Sequence, residues 1–369
     1  MLMEKTIKKI AFFTVGFAFN RLVRMRFYEK TFPKHVQIYL ITTDKYEARD
    51  SSMPQQEYDL SRTKIVKIHY DWRLISNIRR FCKDNKIDRL MNLGFHTSVP
   101  FLFLARALTK TDFCINVLVD IFKQHYLANK LYDKVRDFFA LAMLFLLVRP
   151  SKKVYFTDPL NASRAPKFFI ANSRKFVFLA APVDTKLFMP KDKNAARKKL
   201  KFGVGDKLIL YVGRANYLRC SDILHRLVEK NKDWKFILIG PIVDPKIKKL
   251  QTKNLVNIEK LSQEQLVDYY AAADFVFCLN RGGGGIGLSS EEAMACGKPI
   301  VISKQFKVDE CVGVYQIGID SAQAQQAIEN YFRLPIKKKE DLSKEVRKYT
   351  YERYSFDAWK ADYLKAYLT

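Results

Sequence analysis

The chain has 369 residues, of which 48% are hydrophobic and 28% are charged. This balance is typical of proteins with buried cores and excludes a globally disordered or low-complexity chain. Lysine and arginine exceed aspartate and glutamate by 27, which favours polyanionic partners such as phosphorylated ligands, an anionic membrane surface or nucleic acid. A chain of this length predicts two domains.

Short apolar runs alternate with amphipathic stretches through the first half of the chain. The predicted strands are Ile10–Val15, Val36–Ile41, Ile65–Ile68, Arg89–Leu93, Cys114–Val119, Lys153–Phe156 and Phe176–Leu179. Helices are expected over Ile75–Lys86 and Pro100–Leu108. Because strands that alternate with helices form parallel sheets, the pattern predicts a Rossmann-like first domain.

Two apolar runs in the first half resemble targeting or membrane segments. Ile10–Phe19 follows three lysines, but no small-residue cleavage site comes after it, which favours a buried first strand. Phe138–Val148 is shorter than the roughly 20 residues that a spanning helix needs. The six cysteines form no CxxC pair and are interpreted as free thiols of a reducing compartment. We therefore expect no transmembrane helix and a cytoplasmic protein, soluble or peripheral on the inner face of the membrane.

The second half repeats the alternation after a polar linker with a short helix over Pro182–Lys201. The predicted strands are Lys207–Val212, Lys235–Ile239, Asn257–Ile258, Phe275–Cys278, Pro299–Ile302 and Val314–Gln316. The predicted helices are Ser221–Lys230, Glu264–Ala272, Ser290–Cys296, Ala322–Arg333 and a long final stretch over Lys344–Thr369. We expect a first domain over 1–181, joined by the final helix at about 353–369, and a second domain over 182–352.

The segment Arg281–Ser303 is the most informative part of the sequence. It reads as a strand end, a glycine-rich loop, a helix and a further strand. Glycines let the backbone approach a ligand closely, and the start of the following helix attracts phosphate. Ser289 and Glu292 also have the spacing of a capping box, so Glu292 could cap this helix instead of binding a ligand.

A second candidate segment follows the strand Lys207–Val212. Arg214 comes directly after the strand end, and Arg219 precedes a helix that we expect Ser221 to cap. Two guanidinium groups on one strand-to-helix loop suit a diphosphate. The alternative is that both are solvated arginines on the surface of a basic protein.

Several segments, in this order, resemble the family-4 retaining glycosyltransferases of the GT-B fold. The matching segments are Ala181–Phe188 to the interdomain stretch, Tyr211–Arg214 to the diphosphate loop, Leu261–Asp274 to the helix before the family signature, Glu292–Val301 to the signature, and Tyr354–Trp359 to the closing helix. The resemblance covers about residues 180–369 and reaches the first half mainly through strand order. It implies an α/β protein of two tandem Rossmann-like domains with a cleft between them.

The resemblance also implies roles for single residues. The donor would be a nucleotide-diphosphate sugar, with UDP or GDP as the nucleotide, and no further cofactor. Arg214 and Arg219 would bind the diphosphate, and Glu292 the ribose hydroxyls. The remaining donor contacts would come from the glycine loop and the helix start, at Gly284, Gly285, Gly287 and Leu288. The family places a second glutamate where this chain has Gly284, so donor identity and activity stay open.

Three residues of the first half are candidates for the diphosphate loop, the acceptor or the leaving sugar. Gly16 follows the first predicted strand, His96 follows the strand Arg89–Leu93, and Asp120 ends the strand Cys114–Val119. Side chains at these strand ends would meet a ligand of an open parallel sheet. The alternatives are an exposed histidine and an aspartate that caps a helix.

Together these patterns predict a retaining glycosyltransferase that acts on a hydroxyl acceptor. Basic, aromatic-rich stretches at Arg21–Tyr28 and Lys167–Phe176 suggest a lipid-linked or membrane-surface glycan as acceptor, on an anionic membrane surface. No Asp-x-Asp motif follows a strand, so no metal is expected. One alternative is a non-catalytic GT-B protein that binds nucleotide or glycan. The other, a nucleic-acid-binding protein, has no recognition motif to support it, and we expect no nucleic-acid partner.

Overall fold

The computed structural model describes residues 7–15, 19–43, 60–93, 111–117, 131–250, 252–282, 286–306 and 308–369. The chain divides into two compact units. The first contains Met1–Ala181 and Trp359–Thr369, and the second contains Pro182–Ala358. Each unit is built on a parallel sheet with helices, so the predicted α/β class is confirmed.

The described helices, numbered in chain order, cover both units. They are α1 (Phe19–Thr31), α2 (Leu74–Asp84), α3 (Leu131–Val148), α4 (Pro159–Phe169), α5 (Lys193–Leu200), α6 (Ser221–Lys230), α7 (Pro245–Lys249), α8 (Gln263–Ala272), α9 (Leu288–Ala295), α10 (Ser321–Arg333), α11 (Ile336–Tyr354) and α12 (Phe356–Leu368). None of these described helices is long and apolar enough to cross a membrane.

The sheet of the first unit has seven parallel strands. They are β1 (Lys9–Thr14), β2 (Gln37–Thr43), β3 (Thr63–Ile68), β4 (Arg89–Asn92), β5 (Asp112–Val117), β6 (Lys153–Phe156) and β7 (Phe176–Phe178). All seven predicted strands are confirmed. Their spatial order is β3-β2-β1-β4-β5-β6-β7, so the direction of strand addition reverses between β1 and β4. Open parallel sheets bind ligands beyond the carboxyl ends of the strands at such a reversal.

Three helices of the first unit, α1, α3 and α4, are absent from the sequence prediction. The apolar sequence runs from β1 towards α1 without a polar break, so the strand and the start of the helix read as one run. Within the stretch Arg21–Tyr28, the side chains of Val23, Met25, Phe27 and Tyr28 are buried. The apolar side chains of this stretch therefore belong to the core, whereas Arg24 and Arg26 are half-buried. The predicted helix over Pro100–Leu108 lies outside the described residues.

Aromatic rings connect the end of α12 to the sheet of the first unit. Phe12 of β1 stacks on Tyr28 of α1 with ring centroids 4.6 Å apart, and Tyr155 of β6 stacks on Tyr367 at 4.7 Å. Each such pair contributes about 0.5–1.5 kcal/mol beyond the burial of its area. The Tyr367 hydroxyl also donates to Asn116 Oδ1 at 2.7 Å. The last residues of α12 thus complete the core of this unit.

The sheet of the second unit has six parallel strands. They are β8 (Lys207–Val212), β9 (Trp234–Ile239), β10 (Leu255–Ile258), β11 (Phe275–Phe277), β12 (Ile300–Ser303) and β13 (Val314–Ile317). All six predicted strands are confirmed. Their spatial order is β10-β9-β8-β11-β12-β13, so strand addition reverses between β8 and β11. The carboxyl ends of these two strands define the place where this sheet would bind a ligand.

Two helices of the second unit begin without the side-chain caps predicted for them. Cys220 occupies the N-cap of α6 with a φ of 53°, and Gly287 occupies the N-cap of α9 with a φ of 87°. These positive angles turn the chain directly into the helix. The predictions that Ser221 caps α6 and that Ser289 and Glu292 form a capping box are therefore wrong.

The predicted helical stretch over Lys344–Thr369 is divided into α11 and α12. The backbone of Ser355 is extended, with a φ of −69° and a ψ of 159°. Its hydroxyl oxygen accepts a hydrogen bond from the Ala358 amide at 3.1 Å, which is the contact of a helix N-cap. Ser355 therefore ends one helix and starts the next.

Candidate functional site

The reversal between β8 and β11 brings together the two segments that the sequence singled out. The loop after β8 carries Arg214 and Arg219, and the glycine-rich loop after β11 leads into α9, which begins with Leu288. The loop after β8, the loop after β11 and the start of α9 therefore form one candidate site within the second unit.

A close backbone contact shapes the first loop. Gly213 follows β8 with a φ of 132°, and its amide donates to the Ile239 carbonyl at the end of β9 at 2.8 Å. Gly240 follows β9 with a φ of 134°, and a Cβ atom added there would lie 2.4 Å from the Gly213 carbonyl oxygen. Only glycine fits at position 240 without moving the loop that carries the arginines.

We expect Gly240→Ala to destabilise the protein by about 1–3 kcal/mol, the range for residues forced into unfavourable backbone conformations. The added methyl group would also push Gly213 away from its position. Chemical denaturation of the full chain measures the effect. Gly205→Ala is the matched control, because a Cβ atom at Gly205 would meet no atom within 4 Å. An equal stability of the two variants would contradict this account of the loop.

The two arginines differ in their surroundings. Arg214 is exposed, whereas Arg219 is half-buried and ends a short 3-10 helix over Tyr217–Arg219. Nη1 of Arg219 lies 3.5 Å from the place where a Cβ atom of Gly213 would be, so the guanidinium group lies over the end of β8. In the described part of the chain, neither arginine has a carboxylate oxygen within 4 Å. Among the described residues, neither of these two positive charges at the strand end is therefore paired with a carboxylate.

The positive charge of Arg219 also acts on Cys278, the residue that follows the neighbouring strand β11. Burial raises the pKa of the Cys278 thiol to about 11, and the positive charge of Arg219 acts in the opposite direction. Burial likewise raises the pKa of Tyr211 in β8, and Arg219 again opposes the shift. Arg219 thus interacts electrostatically with residues on both strands at the reversal.

Arg281 connects the loop after β11 to the loop after β8. Its guanidinium group donates to both carboxylate oxygens of Asp222 at 2.7 and 2.8 Å, and to the Tyr217 carbonyl at 2.6 Å. It also lies 3.9 Å from the centre of the Tyr217 ring. The Arg281 amide donates to the Leu218 carbonyl at 2.8 Å. Arg281 is therefore a structural link, and its charge is neutralised by Asp222.

Two polar side chains, one at the end of β12 and one just after it, fix the other side of the glycine loop. The Gln305 amide donates to the carbonyls of Asn280, Arg281 and Gly282 at 3.0, 3.1 and 2.9 Å. The Ser303 hydroxyl donates to the Asn280 carbonyl at 2.7 Å. The first residues of the glycine loop are thus hydrogen-bonded on one side to the loop after β8 and on the other side to Ser303 and Gln305.

The start of α9 places backbone amides next to this loop. Gly287 is the N-cap, and its carbonyl accepts hydrogen bonds from the Ser290 and Glu291 amides. The Ser290 hydroxyl donates to the Ile286 carbonyl at 2.7 Å, which secures the turn. The first amides of a helix lack partners within the helix, and together with the helix dipole they attract anions. Gly287 and Leu288 therefore stand at a position suited to phosphate.

Glu292 lies inside the protein, on the second turn of α9. It is 6% exposed, and its Oε2 accepts a hydrogen bond from the Tyr270 hydroxyl of α8 at 3.0 Å. Burial raises the pKa of Glu292 to about 7, while hydrogen bonds from Tyr270 and Gln263 act against this shift. The carboxyl group is thus tethered to α8 and does not cap α9. With a pKa of about 7, the Glu292 carboxyl group loses its proton close to neutral pH.

The remaining predicted site residues lie outside the described residues: Gly16, His96, Asp120, Gly284 and Gly285. The strands that precede the first three are described. Gly16 and His96 follow β1 and β4, the two strands at the reversal of the first sheet, and Asp120 follows β5. Their roles stay predictions.

The residues that hold this site together are not among the predicted site residues. Arg281, Gln305, Tyr270 and Gln263 contribute their side chains through contacts made far along the chain. Only Arg281 carried a visible signal, because it directly precedes the glycine run. The other three became recognisable only when the sheet and helices were assembled.

Comparison with known proteins supports the family suggested by these residues. The model of the family described as Glycosyl transferases group 1 matches residues 192–353. The D-inositol 3-phosphate glycosyltransferase of Segniliparus rotundus is 25% identical over 172 residues, which are 43% of this chain and 38% of that protein. The D-inositol 3-phosphate glycosyltransferase of Mycobacterium sp. (strain KMS) is 32% identical over 166 residues, which are 42% of this chain and 38% of that protein. The matches thus span under two fifths of these curated relatives.

Solved structures extend the similarity of the fold to nearly the whole chain. HepE of Anabaena, determined in complex with UDP-glucose, has a TM-score of 0.77 at 13% identity and covers 97% of this chain and 98% of that one. Sucrose-phosphate synthase from Thermosynechococcus elongatus has a TM-score of 0.79 at 17% identity, with 98% of both chains covered. At this identity the likeness establishes the fold, which is the GT-B fold that the sequence resemblance implied.

Proposed function

We propose that the chain is a retaining glycosyltransferase, because the model of the family described as Glycosyl transferases group 1 matches residues 192–353. It would move a sugar from a nucleotide-diphosphate donor, a UDP- or GDP-sugar, to a hydroxyl acceptor. The observation that carries the proposal is Arg219. Its guanidinium group lies over the end of β8 at the reversal of the sheet, with no described carboxylate to neutralise it.

The hard step of such a transfer is departure of the diphosphate from a sugar that develops positive charge. Fixed cations and backbone amides that meet the developing negative charge lower this barrier. We assign that role to Arg214, Arg219 and the amides at Gly287 and Leu288. The chain's own groups would therefore supply the stabilisation that the leaving group needs, without a metal ion or other cofactor.

Glu292 would bind the ribose hydroxyl groups of the donor. An ionised carboxylate accepts two charge-assisted hydrogen bonds from neighbouring hydroxyls. The tether to Tyr270 and Gln263 would hold the carboxylate in one orientation before the donor arrives. In this interpretation the helix α9 supplies amides at its first turn and the carboxylate on its second.

The acceptor would bind at the first unit. We assign His96 and Asp120 to this side, since each follows a strand end of the first sheet. Gly16, which follows β1, is assigned to the loop near the donor diphosphate. Residues 1–180 carry an excess of 17 positive charges, which suits an acceptor on an anionic membrane surface, such as a lipid-linked glycan. The protein would then work in the cytoplasm, peripherally on the membrane.

A screen of nucleotide sugars tests the proposal. The full chain is incubated with a panel of UDP- and GDP-sugars, with and without glycan and lipid-linked acceptors. Release of the nucleoside diphosphate is then measured, and nuclear magnetic resonance determines the anomeric configuration of any product. We expect one donor to be hydrolysed slowly and turned over faster with an acceptor. An inverted product would contradict the retaining mechanism.

Gly284 supports a second candidate, a non-catalytic GT-B protein that binds nucleotide or glycan. The related family signature has a glutamate there, and glycine offers neither charge nor hydrogen-bonding side chain. The same screen separates the two candidates. Tight binding of a nucleotide sugar without hydrolysis or transfer across the panel would favour the non-catalytic protein.

A further inference from the structure

Helix α3 turns one face into the core of the first unit and the opposite face into solvent. Ala140, Leu144, Leu147 and Val148 are buried in the core. The opposite face carries the exposed apolar side chains Leu131, Val135, Phe138, Phe139, Phe145 and Leu146. Phe138 is 61% exposed and Phe139 is 62% exposed. Exposed apolar residues gathered on one face mark an interaction surface more often than scattered ones do.

The end of α4 extends this surface. Phe145 of α3 and Phe168 of α4 both contact the buried ring of Phe169, with centroids 5.9 and 4.9 Å away. Ile170 follows, is 75% exposed, and has a φ of 48° that is unfavourable for a β-branched residue. We call the exposed apolar side chains of α3, together with Phe168 and Ile170, the aromatic face.

Basic side chains accompany the aromatic face. Lys134 and Arg149 stand near the two ends of α3, and the nearby exposed cations on and after α4 are Arg164, Lys167 and Arg174. Within the described ranges, none of these five has a carboxylate oxygen within 4 Å. The two helices that carry the aromatic face thus also carry exposed positive charges on or next to them.

We propose that the aromatic face docks on an anionic lipid bilayer, with α3 lying in the interface plane. A helix with an apolar face and flanking cations binds a membrane in this way when it is too short to span. The charges argue against a second copy of the chain, because a symmetric dimer would bring the same cations together. The inference deepens the membrane-surface acceptor proposed above by naming the contact surface.

Sedimentation of the full chain with vesicles tests the proposal. Vesicles of phosphatidylcholine with phosphatidylglycerol are compared with vesicles of phosphatidylcholine alone, at low and high salt, without donor or acceptor. We expect binding to the anionic vesicles that weakens as salt rises. The variant Phe138→Ser/Phe139→Ser should bind at least tenfold less tightly, and Lys134→Gln/Arg149→Gln should lose most of the preference for anionic lipid.

A matched control comes from α11 of the second unit. Ile336 is 77% exposed beside the exposed Lys337, so Ile336→Ser/Lys337→Gln removes an apolar and a basic side chain elsewhere. It should bind as the wild type does. Thermal unfolding confirms that the variants fold, and Phe139→Trp with brominated lipid reports insertion directly. Fluorescence of the inserted tryptophan should be quenched.

Three results would overturn the proposal. They are wild-type binding by the Phe138→Ser/Phe139→Ser variant, no wild-type binding to anionic vesicles, and a concentration-dependent dimer that this variant abolishes. Because no donor or acceptor is present, failure here leaves the proposed transfer reaction untouched. Conversely, inactivity with every donor would leave vesicle binding intact.

Discussion

Replacing Arg219 with alanine is expected to weaken binding of the proposed nucleotide-diphosphate donor by about 10- to 150-fold, which corresponds to the 1.5–3 kcal/mol of a hydrogen bond to a charged group. The guanidinium group lies over Gly213 without a described acid beside it, so a diphosphate would be its counterion. Arg214 is exposed, and its replacement should cost less because solvent screens its charge. Isothermal titration calorimetry with UDP-glucose and GDP-mannose measures both effects.

The control for this prediction is Arg226→Ala. Arg226 is exposed on α6 in the same unit, so the variant has the same net charge as Arg219→Ala. Its affinity should equal that of the wild type. The double variant Arg214→Ala/Arg219→Ala should bind less tightly than either single variant, although neighbouring residues need not add. If the double variant kept wild-type affinity, the assignment of both arginines to the diphosphate would be wrong.

Replacing Glu292 with glutamine is expected to change donor binding in a way that depends on pH. The pKa of Glu292 is raised from 4.5 to about 7, so the carboxyl group is ionised at pH 8 and protonated at pH 5.5. Ribose hydroxyls would donate to the ionised form. Glu292→Gln should therefore bind UDP-glucose at least tenfold less tightly at pH 8, about 1.4 kcal/mol, and nearly as well as the wild type at pH 5.5.

The same variant should change the pH dependence of stability. Between pH 4.5 and about 7 the folded protein holds a proton on Glu292 that the unfolded chain has released. The stability that this group contributes is complete below pH 4.5 and is lost as pH rises through about 7. The loss is about 3 kcal/mol for a shift of this size. Denaturation across this range should show it in the wild type and not in Glu292→Gln.

Glu340→Gln on the exposed side of α11 is the control for both measurements. It should follow the wild type in donor affinity and in the pH dependence of unfolding. An unchanged affinity of Glu292→Gln at pH 8, together with the altered stability profile, would make Glu292 a buried structural carboxyl group. That outcome would favour the non-catalytic candidate.

The strands of both sheets could be predicted from the sequence because each is a short apolar run between polar segments. The residues that start α6 and α9 could not be predicted in the same way. Side chains with capping spacing stand at Ser221 and Ser289, but the turns into α6 and α9 are made by the backbones of Cys220 and Gly287. A positive φ leaves little trace in a sequence when the residue is not glycine, as at Cys220.

The candidate site was predictable where its parts are local. Arg214 and Arg219 share one loop, and Gly287 and Leu288 follow one glycine run. The environment of Glu292 was not predictable, because Tyr270 lies 22 positions earlier and meets it only after α8 and α9 pack together. The exposed face of α3 was hidden for a similar reason, since an apolar run does not reveal which side the sheet will cover.

The contribution of α12 to the first unit bears on how the chain folds during synthesis. Tyr363 donates to the Ala180 carbonyl at 2.7 Å, and Arg89 donates to the Tyr367 carbonyl. These contacts belong to residues that a ribosome releases only after the whole second unit has been made. Translation therefore completes the chain of the second unit first. Until α12 has been made, the rings of Phe12 and Tyr28 therefore lack the ring of Tyr367 that packs against them in the folded protein.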